Sequence, residues 1–373
     1  MTTSASIALR TSARTATALA SLALVLAVAG CASNGTTYGN TTGAPDTGIY
    51  VIQNTAATST SHASASVLEF STSASGAATP IATIANPGVT SLALLAIDAT
   101  GNLYTSASST TTTPTTTFTA ILEYPTGSQN NAQIIRSIPF TAATGLSNIN
   151  GLAVDAAGDI FAAGVGSGVS IFTSTATGPV APSRSIPIGT QAADLTTLEL
   201  PYAEAVDASG NLYVANQASP DVGAPAPTAP IVVFSPGATG SVAPTRTIGG
   251  ALTTLTFGSP AGLATDTAGN LYVTNNSSSG SSILIFSPTA NGNTPPLRDI
   301  TGSNTQLGCL GGIALDTEGY LYVVSTPSCT TNPTASPSIL KFSTTGDGNI
   351  APAATITSAA WTNADPTLSI AVY

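Results

Sequence analysis

Few side chains in this sequence are able to move a proton, hold a metal or attack a carbonyl. There is one histidine, three cysteines, and seventeen carboxylates against seven lysines and arginines. His62 stands alone in a Ser/Ala/Thr-rich stretch, so a histidine-dependent triad and a multi-histidine zinc centre are both excluded. Cys309 and Cys329 have no histidine near them in sequence, which argues against a Cys/His nucleophile. In an oxidising compartment such a leftover pair reads as a disulfide rather than as metal ligands.

The carboxylates are not scattered. Asp98, Asp155, Asp207, Asp266 and Asp316 each close a short apolar run and each precede a glycine by three residues. A calcium loop would need alternating oxygen ligands, and these are lone carboxylates in D-x-x-G. The pattern fits a turn in which Asp caps the backbone two residues on and Gly takes a positive φ. The cations recur as well, at Arg136, Arg184, Arg246 and Arg298. They form either a positive stripe for an acidic ligand or, the reading preferred here, stems laid over apolar surface with forks on nearby carbonyls.

Glu204 breaks the phase. It interrupts an apolar run at the place where the other copies carry Leu152, Leu263 and Ile313. Tyr202 lies beside it, and Asn148 and Asn150 enter the preceding copy. A lone carboxylate there suits a polar channel and, with the amides, leaves a metal site open. Trp361, the one tryptophan, leads into the last segment and either stacks on a flat ligand or wedges between units.

The elements that position these residues are repeated units. Gly262-Leu-Ala-Thr-Asp266-Thr-Ala-Gly269-Asn-Leu-Tyr272-Val has counterparts leading to Tyr104, Phe161, Tyr213 and Tyr322, at intervals of roughly 50 to 60 residues. Each unit continues with a third apolar run such as Ile231-Val-Val-Phe234, then a Ser-Pro-type turn. A proline-led fourth run follows, such as Pro244-Thr-Arg246-Thr-Ile248. Proline at the start of that run suits an outer edge strand, where its missing N–H costs nothing. The runs are too short and too strongly punctuated for helices, so the chain reads as all-β.

The repeat is out of phase with the chain. Ile49-Tyr50-Val51-Ile52 matches a second strand, while Leu368-Ser-Ile-Ala-Val-Tyr373 matches a first strand. Five complete units and one shared between the termini make six. The expected fold is a six-bladed β-propeller with four-stranded antiparallel blades, closed by pairing of the N- and C-terminal strands. The most variable segments, Ser106 to Thr119, Gln217 to Pro230 and Ser325 to Ser338, read as solvated loops or glycan acceptors.

The N-terminus gives an expected address. Arg10 and Arg14 precede an apolar run from about Ala18 to Val28, too short to span a bilayer and right for a secretory signal. Val28-Ala29-Gly30-Cys31 resembles the bacterial lipobox, which implies lipidation of Cys31 and an acyl anchor. Ala32 in the next place favours the outer over the inner membrane. Residues 1–30 are thus read as the signal, 31–46 as a flexible Gly/Thr/Asn/Ser tether, and 47–373 as the propeller. Loss of Arg10 and Arg14 leaves five basic against seventeen acidic residues, a balance that excludes nucleic acid as a partner.

Taken together, P-x-G-L-A-x-D-x-x-G-N-L-Y-V, followed by I-x-V-F-S-P-x-x-x-G and P-x-R-x-I, is similar to the NHL repeat over nearly all of residues 47–373. The resemblance implies the six-bladed propeller. It says little of function, because propellers host both binding and catalysis. The expected role is a monomeric, lipid-anchored envelope module that binds a protein, glycan or small molecule, with no cofactor and no catalysis. The alternative is a metal-dependent hydrolase or lactonase of the gluconolactonase-like type, using Glu204 with Asn148 and Asn150. The ligand site is expected over the central channel, on the face of the entry loops, from Asn148, Asn150, Tyr202, Glu204 and Trp361.

Overall fold

The computed structural model describes residues 47–55, 63–112, 115–189, 198–217, 230–255, 260–277, 279–327, 336–361 and 369–373. Residues 1–46, read above as signal and tether, lie outside them, as do Cys31 and Cys329.

Six antiparallel sheets follow one another along the chain. Blade two is Ser91–Ile97, Leu103–Thr112, Thr115–Tyr124 and Arg136–Pro139; blade three is Ile149–Val154, Ile160–Gly164, Gly168–Phe172 and Arg184–Ile186. Blade four is Leu200–Val206, Leu212–Gln217, Ile231–Phe234 and Arg246–Ile248; blade five is Pro260–Thr265, Leu271–Ser277, Gly280–Phe286 and Arg298–Thr301. Blade six is Cys309–Leu315, Tyr320–Thr326, Ser338–Ser343 and Ala354–Thr357. Blade one takes Gly48–Thr55, Ser64–Ser71 and Ala82–Ala85 from the start of the chain and Ile370–Val372 from its end. Ile49 pairs with Val372, Tyr50 with Ala371 and Val51 with Ile370, which closes the ring as the split repeat requires.

The core lies between blades. Alternate residues of the second and third strands face opposite neighbours, so each apolar cluster draws on adjacent blades. Tyr213, Val233 and Ile231 of blade four pack with Leu263, Val273 and Phe286 of blade five. Every Asp of the repeat takes two backbone N–H groups on one carboxylate oxygen; at Asp266 the donors are Ala268 at 3.0 Å and Asn270 at 2.8 Å. Its other oxygen accepts the Tyr272 hydroxyl at 3.1 Å. At Asp98 burial alone would raise the carboxyl, but hydrogen bonds from Thr100 and Asn102 outweigh it and hold the group below its ordinary value.

Three of the repeated arginines, Arg136, Arg246 and Arg298, extend this chain of contacts to the next blade. Arg246 donates to the Tyr213 hydroxyl and to Ala290 O of blade five, both at 3.0 Å, and lies over the Tyr213 ring. Arg298 reaches Thr344 O of blade six at 2.8 Å. Arg136 joins Glu123, Tyr104 and the carbonyls of Thr173 and Ser174. Blade three has Phe161 in place of tyrosine, and there Arg184 stacks on the ring and stands 3.9 Å from Asp159. Blade six has no arginine in its outer strand. Lys341 of the neighbouring strand takes the role, donating to Thr72 O of blade one at 3.1 Å over the Tyr320 ring.

Two features differ from the sequence reading. The outer edges are not bare: a loop of the following blade donates an N–H to each. The pairs are Ala132 to Ala85, Gly178 to Ser137, Gly240 to Ser185, Gly292 to Thr247, Gly348 to Asp299 and Ala78 to Thr357. At the last of these Gly76–Ala77 pairs in parallel with Ile356–Thr357, giving that sheet a fifth strand. The second difference is the threonine tract after Ser106, which continues the blade-two hairpin as a ladder out to Thr112 and Thr115. β-Branched threonine fits a pleated ladder, and low complexity hid that preference.

Deleting Ile370–Tyr373 removes the pairing partner of Ile49–Val51 together with buried Ile370, Ala371 and Val372. Unfolding in denaturant is expected to lose about 4 kcal/mol or more. An unchanged midpoint would show that the ring does not depend on its closing strand.

Candidate functional site

The first strands of all six blades converge on an axial channel of about 460 Å³. Small residues make the convergence possible. A Cβ on Gly262 would lie 2.9 Å from Ile313 N and 3.0 Å from Gly312 Cα, so backbones of adjacent blades meet almost directly. The first strands also share a register break, between Leu92 and Leu95, Pro201 and Ala203, Pro260 and Gly262, and Leu310 and Ile313. In blade three the pairing skips from Gly151 to Ile149 and leaves Asn150 unpaired in the ladder. Such bulges turn the entry residues over the channel mouth.

Two asparagines that the sequence reading passed over hold these entries in place. Asn54 of blade one gives its Nδ2 to Leu92 O at 2.8 Å and accepts Leu92 N at 2.9 Å. Asn276 of blade five makes the same pair of bonds to Leu310 of blade six. Each stands four residues after its repeat tyrosine, Tyr50 or Tyr272, a coincidence visible in the sequence.

Glu204 occupies the register position of Leu95, Leu152, Leu263, Ile313 and Ile370. In the other blades that side chain is an aliphatic wedge toward the preceding blade. Here a carboxyl does the wedging, only 6% exposed on the channel wall. Its Oε1 accepts the Ala163 N–H of blade three at 3.1 Å, and its Oε2 has no hydrogen-bond partner among the described residues. Burial pushes the carboxyl up to about 8, against the pull of the Ala163 and Ala153 backbone amides. Near pH 7 the group is therefore mostly the neutral acid, able to donate as well as accept.

The remaining candidates are placed as follows. Asn150 and Tyr202 line the channel with Glu204. Asn148 lines a separate depression next to it, because the bulge at Asn150 sends the two amides to different sides of Ile149. Trp361 is not on the channel wall: it is 1% exposed and packs in the cluster that holds Val67, Ile339 and Ile356, its Nε1 without a partner among the described residues. Its bulk thus fills the junction around blade one, the wedge reading of the two considered. Cys309 begins the first strand of blade six at the channel mouth and is disulfide-bonded; Cys329, its proposed partner, lies outside the described residues.

What the arrangement can do chemically follows from its donors. Among the described residues no three His, Cys, Asp or Glu side chains converge. Glu204 and Asn150 share the channel but Asn148 lines the neighbouring depression, so the three do not form one ligand set. The channel wall carries the acid Glu204, the amides of Asn150 and Asn276, Tyr202, Ser369 and a largely aliphatic remainder, with Asn276 committed to Leu310 and Ser369 to Leu95.

Six four-stranded blades around an axial channel define a six-bladed β-propeller. Solved structures of similar fold include a Thermus thermophilus protein named as a putative oxidoreductase (glucose dehydrogenase), 14% identical, with a TM-score of 0.42, covering 70% of this chain and 87% of that one. The major allergen Mala s 1 of Malassezia sympodialis is 12% identical at a TM-score of 0.45, covering 70% and 80%. A Lactobacillus plantarum protein is 13% identical at 0.43, covering 83% and 82%. No protein-family model and no curated protein matches the sequence.

The Glu204 carboxyl makes a pH prediction. Its folded-state value is raised, so its contribution to stability is complete below about 4.5 and is lost as pH rises through about 8. Glu204→Gln keeps an acceptor for Ala163 N–H and cannot ionise. Relative to this variant, wild type is expected to lose up to about 5 kcal/mol between those pH values. Parallel stability curves for the two proteins over this range would refute the assignment.

Proposed function

We propose that the chain is an exported, lipid-anchored propeller of the NHL-repeat kind that binds a ligand in its axial channel and is not a catalyst. The carrying observation is Glu204, a carboxyl on the wall of a cavity where five other blades carry an aliphatic side chain, with one oxygen buried without a partner among the described residues. An unpaired buried polar atom costs about 1–3 kcal/mol, a cost with no return to the fold alone. The channel wall has no basic side chain among the described residues, so a neutral ligand suits it better than an anion. Export and attachment to the envelope through Cys31, at the outer rather than the inner membrane, are supported by the leader and the sequence around Cys31. The gluconolactonase-like alternative is disfavoured because its candidate ligands are divided between two depressions.

Glu204→Leu restores the aliphatic wedge. Neutral fragments detected by ligand-observed NMR on wild type are expected to lose their signals with this variant while the fold is retained. Fragments that bind both proteins equally would remove the channel from the argument. For the address, Cys31→Ser is expected to shift the protein from the membrane to the soluble fraction of the expressing cells, and an unchanged membrane fraction would dismiss the anchor.

A further inference from the structure

The depression that holds Asn148 is a groove of about 260 Å³ on the blade-two side of the channel mouth. Ala93 and Ile149 line both spaces, so the groove and the channel meet across a shared wall. Asn150 stands in the channel and Asn148 in the groove, and neither amide is hydrogen-bonded to another described residue. Ser91, Ser106, Ser108, Thr119, Phe140 and Ser147 also line the groove, and no ionisable side chain among the described residues does.

The backbone of the groove is already committed. Ser91 pairs with Ser108 in the sheet, Thr90 donates to Ser108 O at 2.9 Å, and Phe140 donates to Thr119 O at 2.8 Å. An extended peptide that recognises a partner by adding a strand needs a free edge, and within the groove Ser91, Ser108, Thr119 and Phe140 are already paired with one another. What they present is short hydroxyls, an amide and an aromatic ring. Hydroxyls and amides both donate and accept, as the hydroxyls of a sugar do. Phosphates, sulfates and carboxylates would meet no cation among the described residues here.

We propose that channel and groove form one elongated site for a neutral, linear oligosaccharide, with a terminal sugar in the channel against Glu204 and Asn150 and the next sugars lying past Ile149 toward Asn148. The proposal rests on the reading of the channel as a binding site and adds the ligand's class and its direction across the face.

The test is an array of neutral hexose and N-acetylhexosamine oligomers, followed by calorimetry on the best-bound series from monomer to hexamer. Affinity is expected to rise at least tenfold between monomer and tetramer. Asn148→Ala, a change at an exposed position, is expected to abolish that gain and to leave monomer binding unchanged. Absence of any neutral oligomer from the array's hits overturns the proposal. So does an affinity that ignores length, or a length dependence that survives Asn148→Ala. Each of these results can coexist with fragments whose binding is lost in Glu204→Leu, in which case the channel remains a site and only its glycan is removed.

Discussion

Everything in this molecule depends on joining its two ends. A ring of sheets has no partial form, since each blade buries one face against each neighbour and a missing contact opens two apolar surfaces at once. Three residue pairs, between Ile49–Val51 and Ile370–Val372, turn a row of blades into that ring. The junction between blades six and one is reinforced at every radius. Near the axis it has the shared strand, further out Trp361, then Lys341 on Thr72 O, and at the rim Gly76–Ala77 beside Ile356–Thr357. Lys341 makes at this junction the contact that Arg136, Arg246 and Arg298 make elsewhere, a cation on a carbonyl of the next blade.

A closed ring also sets the conditions for chemistry at its axis. Six first strands must approach closely, which demands glycine and alanine and leaves few side chains long enough to project. A functional group there has to replace a packing residue, and Glu204 does so at the cost of an unsatisfied oxygen. Burial favours its protonated form near neutrality, so Glu204 itself brings little charge to the channel wall. The repeated aspartates, by contrast, are held in turns by backbone N–H groups and by tyrosines, and they are occupied in making the fold.

Much of the fold was legible in the sequence because its devices repeat. The Asp–Gly turns, the aromatic of the second strand, the outer arginines and the split blade each leave several phased copies. What did not repeat was hard to read. The asparagine clamps occur in two blades, Lys341 in one, and the edge-capping N–H groups belong to the backbone and have no side-chain signature. The candidate site was legible at Glu204, where a broken pattern marks a residue. It was not legible at Trp361, whose burial depends on which blades meet there. Nor could the sequence separate Asn148 from Asn150, because an unpaired bulge residue, not their spacing, divides them.

The rim contacts run in one direction, and this bears on the order in which the chain is made. Blade one's outer strand is covered by a loop of blade two, blade two's by blade three, and so on to blade five. In a chain emerging from the ribosome, each of these blades shows a bare edge only until the next one arrives. At the rim, nascent protein therefore exposes one fresh outer edge at a time, while the inner edge of Gly48–Thr55 waits for Ile370–Val372. Blade six alone finds its cover already waiting, since the loop through Gly76–Ala77 was synthesised at the beginning. The outer edge of blade six is thus covered by chain made long before it and waits for no later blade.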